Sequence, residues 1–466
     1  MLRAASRFSQ RLVCSGPGVG TKARYNALNM WTRFLLTVII ATTVWAQQGD
    51  PMDLLRRVQA RVANSLDRLP RYMCTETIDR SQYEPNVHGR GTECDEGPAR
   101  QLTHLATSDR LRMDVAMAPT GEMYSWVGEN RFDDRDLFDM VREGAISTGS
   151  FSGFLTAIFR TEDASFTYDG ETTNGGRTVA EFGFSVPYEK SHHFYGRSPH
   201  RVITGYDGTF LVDPQTSDLV QLVVRTRQLP PETSSCYASN TLEYGRVSMG
   251  GSDFLLPSAS SLRIVHRDGG VFENHTVFSN CHEFLGESTI SFNPPPGAPA
   301  AQARHGLLSR ALSIPPGLRF RVALSQGIDT ATAAAGDPIK AKLITPIENH
   351  PKVLVPIGTP VIARIVRIRR FYGGDAAVAL DIQLESVDVA GVKVRLAVIP
   401  DTGTITFPKS KSGILQRRVE LGTLRSLEDR SRSYVFRNVQ QSYLIPSGLE
   451  SSWVTETPDS RTTPAK

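Results

Sequence analysis

Residues 205–226 read GYDGTFLVDPQTSDLVQLVVRT. Two apolar-rich runs, 205–212 and 219–227, flank Asp213-Pro214-Gln215-Thr216-Ser217. Strand formers on either side of five turn formers predict an antiparallel hairpin. Similar short runs extend outward in both directions. Upstream lie 72–78, 111–116, 123–127, 165–168 and 179–186; downstream lie 242–249, 254–256, 262–266, 271–278 and 288–292. A helix precedes them all. Asp50 is a good N-cap, Pro51 suits the first helical position, and Leu54, Val58, Val62 and Leu66 recur every four residues until Leu69-Pro70 ends the period. A helical insertion at 136–142 and 151–159 interrupts the strands. One amphipathic helix followed by a long antiparallel series predicts an α+β domain over residues 47–292.

That order of elements resembles the lipoprotein-carrier fold of outer-membrane lipoprotein-sorting proteins and periplasmic envelope-stress regulators. The local match is the pattern of Gly205, Asp207, Gly208, Val212 and Asp213, and "GGSDFLLPSASSLRI" at 250–264 fits as a strand pair broken by a proline. The resemblance covers about residues 50–292. It implies an open, strongly curved sheet that cradles acyl chains or an apolar peptide, with helices as a lid.

Residues 293–303, NPPPGAPAAQA, open a Pro/Ala-rich linker over 293–312. Beyond it, short strands are expected at 318–324, 339–344, 353–355, 361–368, 378–384 and 392–399, punctuated by Gly336-Asp337, Pro356-Ile357-Gly358 and Gly373-Gly374. Such spacing predicts a small all-β barrel or sandwich over 313–454. "GDPIKAKLITPI" (336–347) and "KVLVPIGTPVIARI" (352–365) resemble the periplasmic barrel of type IV secretion core-complex proteins. Residues 455–466, TETPDSRTTPAK, read as a frayed tail.

The N-terminus points to export. Arg33 followed by the apolar run 34–46, ending Val-Trp-Ala, has the parts of a secretory signal over 30–46, cleaved after Ala46. Uncleaved, residues 34–46 would anchor the chain in the inner membrane; residues 1–29 read as a gene-model extension. Residues 1–46 hold six basic side chains and no acidic one. Without them 46 basic side chains face 48 acidic ones, so the net charge passes from +4 to −2 and no nucleic-acid partner is expected. Cys74, Cys94, Cys236 and Cys281 are an even number, which in an exported chain predicts two disulfides. Of three connectivities the sequence-local one, Cys74–Cys94 with Cys236–Cys281, is expected here. His275 and His282 near Cys281 lack metal-ligand spacing, so no metal or other cofactor is expected.

Catalytic patterns are sparse. Asp401-Thr402-Gly403 follows an apolar pair as the triplet of aspartic peptidases follows a strand, but two carboxylates must meet, which here would take a homodimer. Turn chemistry explains the same residues. His192-His193 read as surface residues, and Asp133-Asp134-Arg135-Asp136 as a helix cap. The sequence therefore points to a non-enzymatic, exported binding protein of the periplasm or outer envelope, with a lipid or lipoprotein as ligand or an envelope protein as partner. Phe154, Leu155 and Phe159 on the helical insertion are the expected groove lining, and the same side chains would also serve a plain core helix. The alternative is an assembly component whose two domains bind only proteins.

Overall fold

Asp50 caps the first helix as its position predicts: its side chain accepts the Met52 amide at 3.0 Å. The computed structural model describes residues 50–86, 94, 103–118, 121–129, 132, 137–141, 143–147, 151–197, 201–226, 229–283, 314–373, 376–401, 420–423, 432–437 and 443–457. The expected signal, linker and acidic cap at 133–136 lie outside these residues. Helix α1 is Pro51–Arg68 and buries Leu54, Leu55, Val58 and Val62. The described residues from Leu54 onward form one compact unit.

The strands that follow are β1 (Tyr72–Pro85), β2 (Thr103–Ala118) and β3 (Gly121–Trp126). Two short helices, α2 (Leu137–Met140) and α3 (Gly153–Phe159), fill the expected insertion. Then come β4 (Ser165–Asn174), β5 (Arg177–Val186), the small β6 (Phe194–Tyr195) and β7 (Val202–Ile203), β8 (Tyr206–Val212) and β9 (Leu219–Thr226). The long β10 (Ser235–Met249), β11 (Ser252–His266) and β12 (Val271–Glu283) complete a curved antiparallel sheet. Neighbours run β4-β5-β8-β9-β10-β11-β12-β1-β2-β3. Here β11 corrects the expected strand pair: it runs unbroken through Pro257, which sits opposite Tyr244 beside a bulge of β11 at Ser258. A bulge leaves a ladder position unbonded, which suits a residue with no amide hydrogen.

The sheet order overturns the expected disulfides. The bonds are Cys74–Cys281 and Cys94–Cys236, not Cys74–Cys94 and Cys236–Cys281. The reason is the return of β12 beside β1, where Met73 pairs with His282 and the register shifts at Cys74. Chain proximity gives way to sheet adjacency.

One core lies between α1, α3 and strands β5, β8, β9 and β10, with Val58, Ile158, Phe182, Phe210 and Leu222 at its centre. Gly208 sits there for want of space: a Cβ on it would stand 1.8 Å from the Val223 carbonyl oxygen. A second core, with Cys74, Met113, Leu137, Phe151 and Phe278, fills the β1–β2–β3 end.

The C-terminal strands are β13 (Arg319–Leu324), β14 (Ile328–Asp329), β15 (Pro338–Leu343), β16 (Ile347–Asn349), β17 (Lys352–Val355) and β18 (Pro360–Phe371). They continue as β19 (Ala377–Val389), β20 (Val392–Arg395), β21 (Val398–Pro400), β22 (Glu420–Thr423), β23 (Arg432–Arg437), β24 (Leu444–Ile445) and β25 (Glu450–Thr455). Adjacent strands run β21-β25-β13-β15-β18-β19, and both β20 and β23 bond β19. Among the described residues no ladder joins β20 to β21, so the barrel does not close. Trp453 and Phe320 lie in its core. Thr455, expected at the head of the tail, instead ends β25 and binds the Leu318 amide and the Pro315 carbonyl.

The two sheets are stitched together at β2. Its C-terminal half pairs with β3, while Thr107–Asp109 pair with Phe371–Arg369 of β18. On the other side Ala335 bridges Leu111, trading backbone hydrogen bonds with Arg110 and Arg112 at 2.8 Å. The Gly336-Asp337 turn is therefore a joint: Gly336 has φ +103° and a Cβ there would meet the Arg112 carbonyl oxygen at 2.0 Å. Charge reinforces it. Arg80 holds Asp109 through two 2.7 Å bonds, Arg369 adds to Asp109 and Glu143, and Arg364 ties Glu385 to the Val127 and Gly336 carbonyls. The charges of Arg80, Asp109 and Arg364 are almost wholly buried, and each is paired, as burial requires.

Candidate functional site

The Asp213 turn between β8 and β9 places the first site residue. Asp213 accepts the Gln215 and Thr216 amides, and Ser217 takes a left-handed φ of 57°. That geometry turns Asp218 toward α1. There the Asp218 carboxylate takes Arg61 Nε at 2.5 Å from the helix, and Nε and Nη2 of Arg246 from β10. Burial raises the Asp218 carboxyl pKa, but the hydrogen bonds and charges of Arg246 and Arg61 outweigh it and hold it below the ordinary carboxylate value.

Behind this bridge lies a cavity of about 360 Å³. Its wall carries Val62, Leu66 and Leu69 from the helix end, Phe151 and Leu155 from the insertion, Leu219 from β9, and Phe254 and Leu255 from β11. Its polar side carries Arg61, Arg68, Arg246, Asp218 and Asp253.

Phe151 also covers a polar pocket of side chains in the second core. Its ring packs edge-on against Tyr72 and Phe278, with centroids 5.8 and 4.8 Å away, and its amide donates to Glu122, which also accepts the Tyr124 hydroxyl at 2.6 Å. Glu76 is buried nearby on β1. Desolvation, and then the Glu122 charge, push its carboxyl pKa up to about 8, so at neutral pH it is the uncharged acid. The hydroxyls of Tyr72 and Tyr244 are buried and find no hydrogen-bond partner among the described residues. Burial raises both phenol pKa values.

The three expected lining residues separate here. Leu155 faces the cavity. Phe154 packs against the His193 ring at 5.7 Å, and Phe159 lies between Phe166 and Phe210, at 6.2 and 5.1 Å. All three are buried in the core beneath α1. His193, expected at the surface, is half-buried between Phe154 and Tyr206, and desolvation lowers its pKa to about 4, so it stays neutral. His192 is exposed as expected. Asp401 donates its amide to the Ser452 carbonyl and lies 3.5 Å from Arg319, while Thr402 and Gly403 fall outside the described residues. Asn274 is buried on β12 and donates to the Ala145 carbonyl. Among the described residues no group of His, Cys, Asp and Glu could hold a metal ion, and no helix is long and apolar enough to cross a membrane.

Sequence reasoning missed Arg61, Asp218 and Arg246. One signal was available: Arg57 and Arg61, four residues apart, flank the apolar face of α1 on one side. That Arg57 meets Ser217 and Arg61 meets Asp218 could be known only from the fold.

No family profile and no curated protein matches the chain. Solved structures similar to the chain include two at 10% identity. A DUF1329 family protein from Desulfovibrio piger covers 53% of this chain and 98% of its own, with a TM-score of 0.27. A putative outer membrane lipoprotein-sorting protein domain from Vibrio parahaemolyticus covers 51% and 95%, with a TM-score of 0.26.

Proposed function

We propose that this chain is an exported, non-enzymatic binding protein of the cell envelope, holding an apolar ligand between α1 and the curved sheet. The observation that carries it is the cavity: about 360 Å³, lined by both apolar and charged side chains. Ligand sites run from roughly 300 to 1,000 Å³. This one lies near the lower bound, which suits a single acyl chain or a small amphiphile rather than a multi-chain lipid. Leu155 then contacts the ligand, whereas Phe154 and Phe159 hold α3 in place. The β2–β18 joint makes the C-terminal sheet a fixed extension of the cavity-bearing one, suited to docking an envelope partner.

Titration of the oxidised, processed protein with cis-parinaric acid, a fluorescent fatty acid, tests this reading. Saturable binding is expected, together with a fall of about tenfold or more in affinity when Leu255→Trp fills the cavity. Far-ultraviolet circular dichroism confirms that the variant keeps its strands. A folded protein that leaves the probe's emission unchanged sinks the proposal.

A further inference from the structure

We propose that the ligand of this cavity carries an anionic head group, a carboxylate or a phosphate monoester, held at the opening by Arg61 and Arg246. The inference rests on the cavity reading and specifies its ligand class.

Three arginines line the cavity, Arg61, Arg68 and Arg246, against two aspartates, Asp218 and Asp253. Three positive charges outnumber two negative ones, and one of the two aspartates is already engaged by guanidinium groups. Asp218 is enclosed by two guanidinium groups, its side chain only 14% exposed. Asp253 accepts the Ser248 hydroxyl at 2.5 Å. The arginines differ. Arg61 and Arg246 keep 45% and 40% of their side chains exposed, and Asp218 engages Nε of the first and Nε with Nη2 of the second. A guanidinium has five N–H donors, so each has Nη hydrogens left for another acceptor. The bridge to Asp218 fixes both planes before a ligand arrives, so little side-chain freedom remains to be lost on binding. An acyl chain lying along Leu66, Leu155 and Leu255 would bring its head group to this edge. There an anion gains charge-assisted hydrogen bonds, and a cation meets net positive charge.

The experiment is isothermal titration of the oxidised, processed protein with four probes of one chain length, each below its micelle concentration. They are dodecanoate, dodecyl phosphate, dodecanol and dodecyltrimethylammonium. Both anions are expected to bind about tenfold tighter than the alcohol, with the cation weakest. The tighter anion distinguishes a carboxylate from a phosphate ligand. Arg61→Gln and Arg246→Gln should together bring the ratio of anion to alcohol affinity close to one. Both positions are exposed enough to change without disturbing the core, and circular dichroism verifies that. Equal affinity for all four probes, or preference for the cation, overturns the inference and leaves the cavity reading standing. Binding of none of them to folded protein overturns both.

Discussion

At pH 8, Glu76→Gln should make the protein more stable by about 3–5 kcal/mol, and at pH 4.5 it should make almost no difference. The sign follows from burial. In the folded chain the carboxyl pKa is raised from its ordinary 4.5 to about 8, first by desolvation and then by Glu122. Between those two pH values the unfolded chain has released the proton and the folded chain still holds it. Stability therefore falls as pH rises through this window and levels off above it. Glutamine keeps the shape and neutrality of the bound acid but has no proton to lose, so its curve lacks this decline. Other groups titrate in the same range, and the difference between the two urea-unfolding series removes them. Parallel curves, or a variant weaker than wild type at pH 8, would show that Glu76 is charged in the fold.

The second large effect belongs to Cys74–Cys281. It ties β1 to β12, strands that border each other in the sheet although 207 residues separate the two cysteines. Cys94–Cys236 spans 142 residues and is nested inside that loop. In the chain-entropy account, loops of these sizes contribute up to about 5 kcal/mol each, less for the nested one once the outer bond is closed. Cys74→Ala with Cys281→Ala should therefore lower stability by about 3–5 kcal/mol, read as a drop in the urea midpoint under non-reducing conditions. A non-reducing peptide map of the wild type should join the 74 peptide to the 281 peptide and the 94 peptide to the 236 peptide. A bond between 74 and 94 would contradict the order β12-β1-β2.

Local pattern made much of the fold legible. The four-residue period of Leu54, Val58, Val62 and Leu66 marks α1, and Asp213-Pro214 marks the β8–β9 turn, because each rule acts within one turn or one hairpin. What depends on which strands become neighbours stayed hidden. The cysteine pairing failed because β12 returns to β1, a fact no spacing encodes. Gly336-Asp337 reads as punctuation in sequence, yet in the fold it locks the C-terminal sheet onto β2, with Asp337 accepting Arg112 at 2.5 Å. The short β14, β22, β23 and β24 escaped notice because their residues lack an alternating run long enough to register.

The candidate site was legible only at Leu155. Apolar residues of one insertion look alike in sequence, and helix packing alone decides that Leu155 borders both the core and the cavity while Phe154 and Phe159 lie in the core only. The mouth is harder still: Arg61 and Asp218 are 157 positions apart, and Asp218 and Arg246 are 28 apart. Each is an ordinary surface charge until α1 crosses the sheet.

The space between α1 and the sheet is expected to hold an acyl chain. Crystals of the protein grown with dodecanoate bearing a terminal bromine test it most directly. The predicted result is an anomalous bromine peak among Val62, Leu155 and Phe254, with the carboxylate density beside Arg61 and Arg246. A cavity without that peak, at bromolipid concentrations well above the dissociation constant for dodecanoate, would contradict it.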